Sequence, residues 1–296
     1  MTLRRRFTSP YAALRLAVMR PVARLIGKEI RTLFAPAEDG SDNFEMGVGL
    51  FPEDAISRTV HGHVAAMMIG GVSALLLQML HPGALGGVWD YSNFRQDMLG
   101  RLRRTARFIA ATTYGRQQDA DAAIARVRRV HEQVKGTLPD GTPYAADDPR
   151  LLNWVHITEL TSFLAAHERY RGRLPPADTD RYFAENVIVA ERLGAAEVPA
   201  SKADVDRFLR GIRGELIADD RVRTVREILM KHRAGNPAIQ PALALIMRAG
   251  ADLLPPWAQA MHGFRFLPGE RTAIRAGAAT MVRGVGWAMT ASRPGS

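Results

Sequence analysis

Apolar residues in this chain recur at three- and four-residue intervals and hardly ever alternate with polar ones. That period is helical, because residues three and four apart share one helix face. It predicts helices over roughly 9–34, 53–80, 92–114, 116–135, 148–172, 178–193, 201–217, 219–233, 237–253 and 268–289. Alternating β-branched and aromatic runs closed by hairpin turns are missing, so the fold class is all-α. The breaks fall where turn residues cluster. His81-Pro82-Gly83 stops an apolar helix, since proline disfavours helix in the residue before it. Residues 136–149 read as a loop with a turn at Asp140-Gly141. Leu174-Pro175-Pro176 and Pro255-Pro256 are further breaks, and Ser201 with Asp204 caps the helix that follows. Val64 to Leu80 carries no charge for seventeen residues. A membrane span needs about 20 apolar residues, so this reads as a buried central helix. There is no internal repeat or long linker. The simplest division is an arm over 1–35 and a single multi-helix globular domain over 36–296.

Charge sharpens this picture only after it is located. The formal net charge is +10, of which the first 35 residues carry +7 and residues 265–296 carry +4. The centre is close to neutral, and no nucleic-acid reading element accompanies the basic ends, so no nucleic-acid partner is expected. Arg4, Arg5, Arg6, Arg15, Arg20, Arg24 and Lys28 are interleaved with Leu, Ala, Val and Ile. Such a helix either packs on the domain with its arginines in water or lies on an anionic membrane surface. No apolar core and no small-residue cleavage site follow the first arginines, so no signal peptide is expected. The localisation that fits is cytoplasmic, with peripheral membrane contact through 1–35 left open.

The chain has no cysteine. Disulfides, zinc–thiolate and iron–sulfur sites, thiol nucleophiles and covalent c-type haem are thereby excluded. Phosphate-binding glycine loops, nucleophile elbows, His-Glu-Xaa-Xaa-His helices and Glu-Xaa-Xaa-His di-iron repeats are also missing. His61 and His63 lie two apart and diverge on a helix. His156 and Glu159 lie three apart on an apolar helix, a spacing that fits a structural hydrogen bond better than a two-ligand metal site. His131 falls on the inward side of its helix with Ile124, Val127 and Val134. A core histidine needs a partner, and spacing alone does not choose between a hydrogen bond and a metal. Arg101, Arg104 and Thr105 stand at i, i+3 and i+4 and so share a face. Arginines gathered on a buried face must meet anions, either protein carboxylates or those of a cofactor.

The segment holding these residues is similar to the MpaB-type oxygenase family, which includes the bacterial rubber oxygenases, or latex-clearing proteins. The resemblance lies in LLLQMLHPGALGGVWDYSNF (75–94), RLRRTARFIAATTYG (101–115), VRRVHEQVKG (127–136) and YAADDPRLLNWVHIT (144–158), and continues more loosely to about residue 260. It implies an all-α fold with a globin-like core around non-covalent haem b, with dioxygen as co-substrate. It implies that His131 is the proximal iron ligand and that Arg101 and Thr105 lie beside the haem and support activity, with Arg104 also at the cofactor. The substrate implied is lipophilic and unsaturated, isoprenoid or lipid-like. The chain departs from the rubber oxygenases at Arg104, where they carry a lysine. The acid nearest their proposed glutamate base is Asp90 or Asp97. Met67, Met68, Leu75 and Leu76 fit either the walls of a pocket or ordinary core. The competing class is a non-catalytic helical protein that binds haem or lipid at a membrane.

Overall fold

The computed structural model describes residues 44–290, with the side chains of 288–290 left aside. The arm over 1–35 lies outside these residues. The described chain forms twelve α-helices and one small hairpin: α1 (Ile56–His61), α2 (Val64–Gln78), α3 (Pro82–Tyr91), α4 (Met98–Tyr114), α5 (Gln117–Gln133), β1 (Lys135–Thr137), β2 (Pro143–Ala145), α6 (Pro149–Tyr170), α7 (Pro176–Leu193), α8 (Lys202–Gly211), α9 (Asp220–Met230), α10 (Gln240–Leu253), α11 (Pro256–Met261) and α12 (Glu270–Thr290). The all-α expectation holds.

The uncharged helix α2 is the axis of the fold. It is apolar on every side, which requires neighbours all round. It packs against α6, α10 and α12. Glycine lets two of these backbones approach it. A Cβ on Gly70 would stand 2.9 Å from the Phe163 ring of α6. A Cβ on Gly250 of α10 would stand 2.5 Å from Val72 Cγ1 and 3.0 Å from the Ile69 carbonyl. Gly250→Ala therefore forces α10 off α2. The expected cost is about 1–3 kcal/mol, as for other overpacked cores, read as a lowered thermal midpoint. Among the described residues no single helix is long and apolar enough to cross a membrane.

Of the places where the fold differs from the reading by pattern, three adjoin the central helix or the hairpin. The predicted helix over 53–80 is two helices, α1 and α2, separated at Gly62 and His63. His81-Pro82-Gly83 ends one helix and also begins another. Pro82 opens α3, and His81 Nδ1 accepts a hydrogen bond from the Gly83 N–H at 3.1 Å. The chain bends by 104° between α2 and α3. Proline suits a first helical turn because its missing N–H has no partner there anyway. Finally, the loop over 136–149 contains the antiparallel pair β1–β2, with Gly136 opposite Tyr144. Gly141 takes φ 89° at its turn, and Asp140 accepts from the Thr142 N–H at 2.9 Å. The predicted turn is present; the three-residue strands beside it were too short to show a period.

Candidate functional site

Helices α2, α4, α6 and α10 enclose a cavity of about 500 Å³. Such a volume falls within the range of small-molecule pockets, roughly 300–1,000 Å³. Its walls are apolar: Met67, Met68 and Leu75 from α2, Ile109 from α4, Ile246 and Met247 from α10. Leu76 instead belongs to the fully buried core. The helix α4 lines the cavity from Leu99 to Tyr114. At 1.5 Å per residue, Arg101 and Tyr114 mark points about 20 Å apart along it. The Tyr114 hydroxyl donates to the Arg58 carbonyl of α1 at 2.7 Å, so that end lies beside the start of α2.

Arg101, Arg103 and Thr105 line the first half. No protein carboxylate pairs with Arg101 among the described residues. Burial, with the neighbouring Arg104 charge, pushes its pKa down to about 10, so it stays charged at neutral pH. Arg103 Nε is buried without a hydrogen-bond partner. Thr105 is more exposed and sits at the rim. Arg104 does not share this surface. Its side chain is half exposed, donates to Asn93 Oδ1 at 3.3 Å and lies 3.7 Å from Asp97. The i+3 step turns it toward the loop before α4, where exposed Asp97 satisfies it. The expected common face thus holds for Arg101 and Thr105 alone.

His131 stands in the last turn of α5, which runs back along α4, so it comes close to Arg101. It does not line the cavity itself. The inward stripe of α5 is Ala120, Ile124, His131 and Val134, whereas Val130 is exposed. Burial outweighs Asp147 nearby and pushes the imidazole pKa down, which favours the neutral ring. Its Nδ1 is buried and has no hydrogen-bond partner.

Two further polar groups line the cavity, His61 and Glu159, and spacing marked neither as a functional site. His61 is buried between Thr113 and Tyr182, with Nδ1 3.0 Å from Thr113 Oγ1 and Nε2 3.0 Å from the Tyr182 hydroxyl. Burial, and secondarily His156, pushes its pKa down to about 3. Glu159 of α6 faces the cavity. It keeps some accessible surface, but that surface opens inward, and burial pushes its pKa up to about 8. The expected bond between His156 and Glu159 does not form. His156 lies toward the Asn186 backbone, and Glu159 has no hydrogen-bond or ion-pair partner among the described residues. Asp90 and Asp97 are both engaged, Asp90 by the Tyr144 hydroxyl at 2.5 Å and Asp97 by the Gly100 N–H at 2.8 Å. Among the described residues Glu159 is the one acid on the cavity wall. Among the described residues no three His, Asp or Glu side chains converge as a metal-binding group.

The described residues thus form an α-helical protein with a largely apolar cavity that carries a few polar groups, among them an arginine without a carboxylate partner. Residues 58–289 match the family described as ER-bound oxygenase mpaB/B'/Rubber oxygenase, catalytic domain, and the chain belongs to that family. The chain is also 30% identical over 138 residues to Uncharacterized protein Rv2237 of Mycobacterium tuberculosis and, equally, to Uncharacterized protein Mb2261 of Mycobacterium bovis. That match covers 45% of this chain and 52% of each relative, so the chain spans about half the length of the curated relatives it matches. No solved structure matches it significantly.

Proposed function

We propose that this protein is a haem b-dependent oxygenase acting on a lipophilic, unsaturated substrate of isoprenoid or lipid-like type. The observation that carries the reading is the pairing of an apolar cavity with an arginine that has no protein carboxylate, next to a histidine with an unpartnered buried nitrogen. The chemistry of these residues supports a haem, with His131 standing beside Arg101 rather than on the cavity wall. An iron ligand must be a neutral imidazole with a free lone pair, and burial keeps His131 neutral. Non-covalent haem needs no cysteine. Its propionates are anions that a desolvated guanidinium binds strongly, and Arg101 and Arg103 are available on the cavity wall. When bound, haem iron supplies the dioxygen chemistry. The chain supplies the rest. Met67, Met68, Leu75 and Ile109 exclude water from the substrate chain, and that exclusion strengthens every polar contact inside. Arg101 and Thr105 donate hydrogen bonds at the polar end. Arg104 holds the loop before α4 in place through Asn93 and Asp97.

An absorption spectrum tests this directly. Protein produced with ample haem is expected to show a Soret band that His131→Ala abolishes, while far-ultraviolet dichroism stays unchanged and added imidazole restores part of the band. The loaded protein is expected to consume oxygen in the presence of an unsaturated lipid. No Soret band in the full chain would overturn the reading. A haem-loaded protein that consumes no oxygen with unsaturated lipids or terpenoids would make it a carrier.

A further inference from the structure

Glu159 has no structural task. It caps no helix, pairs with no cation and accepts no hydrogen bond among the described residues, yet it lies on the wall of an apolar cavity. A buried polar group left without a partner is costly, and natural proteins rarely keep one without a use. Its position along the cavity is fixed by contacts on either side. One turn before it, the Val155 carbonyl accepts from Gln78 Nε2 at 3.3 Å, at the end of α2. One turn after it, Phe163 rests on Gly70, midway along α2. Each of these four-residue steps is about 6 Å, so Glu159 lies between the ends of the cavity and belongs to neither.

We propose that Glu159 selects the substrate: its carboxyl donates a hydrogen bond to a neutral oxygen carried part-way along an otherwise hydrocarbon chain. The ligand class is therefore an oxygenated lipid, a long-chain ketone, ester or ether, rather than a plain hydrocarbon. This rests on the reading of the cavity as a lipophilic substrate site. Three observations favour it over the alternatives. At neutral pH the acid is held mainly in its protonated form by burial, and a protonated carboxyl is a donor. The nearby polar groups do not compete for it, because His61 and Tyr182 bond to each other. An ammonium ligand is disfavoured, because Arg58, Arg101 and Arg103 line the same cavity and Glu159 is its single acid among the described residues.

The test is competitive binding to the full chain. Hexadecane and the ketone of the same length with its carbonyl near the middle compete for the site against a pyrene-labelled alkane. Wild type is expected to bind the ketone about tenfold more tightly than the hydrocarbon, a difference of about 1.4 kcal/mol. Glu159→Gln keeps an N–H donor and is expected to keep the preference. Glu159→Leu is expected to bind both ligands equally while still binding hexadecane, which also shows that it is folded. Equal affinities in wild type, a preference that survives in Glu159→Leu, or tighter binding of hexadecylamine than of the ketone would each sink the proposal. The readout needs no haem. A protein with the ketone preference but no Soret band loses only the haem reading. A haem protein without the preference loses only this one.

Discussion

Replacing Asp252 with alanine is expected to lower unfolding free energy by about 3 kcal/mol, seen as a reduced urea midpoint with an unchanged denaturant slope. Asp252 closes α10, and its side chain is 0% exposed. Three arginines from two other helices converge on it. Arg169 of α6 donates to Oδ2 at 2.9 Å, Arg275 of α12 donates from Nε to Oδ2 at 2.7 Å, and Arg271 of α12 donates to Oδ1 at 3.2 Å. Gln259 adds a bond to the Asp252 carbonyl at 3.2 Å and accepts from Arg271 at 2.6 Å. Breaking a buried charge pair costs about 3–5 kcal/mol in general. The lower end applies here, because the arginines are 30%, 43% and 46% exposed and turn to water once released. Asp252→Asn keeps some acceptor capacity but loses the charge, so its loss is smaller. The cluster also bears on function. The same helix carries Leu243, Ile246 and Met247 to the cavity wall. Loosening α10 is therefore expected to disturb the cavity wall, and with it binding of the proposed ligand, as well as stability.

Much of this architecture is legible in the sequence, because it rests on local periodicity. The stretches 116–135 and 148–172 correspond closely to α5 and α6, and an uncharged helix without a polar face proved to be the central one. The polar groups are a different matter. Arg101 and Arg104 look alike by spacing, and their separation depends on Asp97 and Asn93, whose positions follow from a loop. His131 points inward as expected, but what surrounds it is set by the packing of α5 on α4. Glu159 carried one visible signal, an acid in an otherwise apolar helix beside His156. Its importance lies in having no partner, and that requires every neighbouring element to be in place. The Asp252 cluster draws on residues 83 and 23 positions away, beyond any local pattern.

Stability is expected to peak near pH 6.5 and fall on both sides, for different reasons. On the acid side the cause is histidine. Burial pushes His61 down to about 3, and His156 and His262 down to about 4, from an ordinary 6.5. The unfolded chain then binds more protons than the folded one below pH 6.5, so stability present above that value is lost as pH falls toward 4. One pH unit of displacement corresponds to about 1.4 kcal/mol per group, and three such groups rival the whole stability of a domain, about 5–15 kcal/mol. Unfolding near pH 5 is therefore expected. On the alkaline side the cause is Glu159, raised from 4.5 to about 8. The folded chain holds its proton where the unfolded one does not, so stability present below 4.5 is lost as pH rises to 8. Between 4.5 and 6.5 three histidines outweigh one glutamate. Above 6.5 the glutamate acts alone, with about 2 kcal/mol lost by pH 8 as an upper bound. Glu159→Gln removes this titration alone. Its melting temperature is expected to stay level from pH 6.5 to 8 while the acid limb is unchanged. An identical alkaline decline in the variant would assign the loss to another group and return Glu159 to the ordinary carboxylate range.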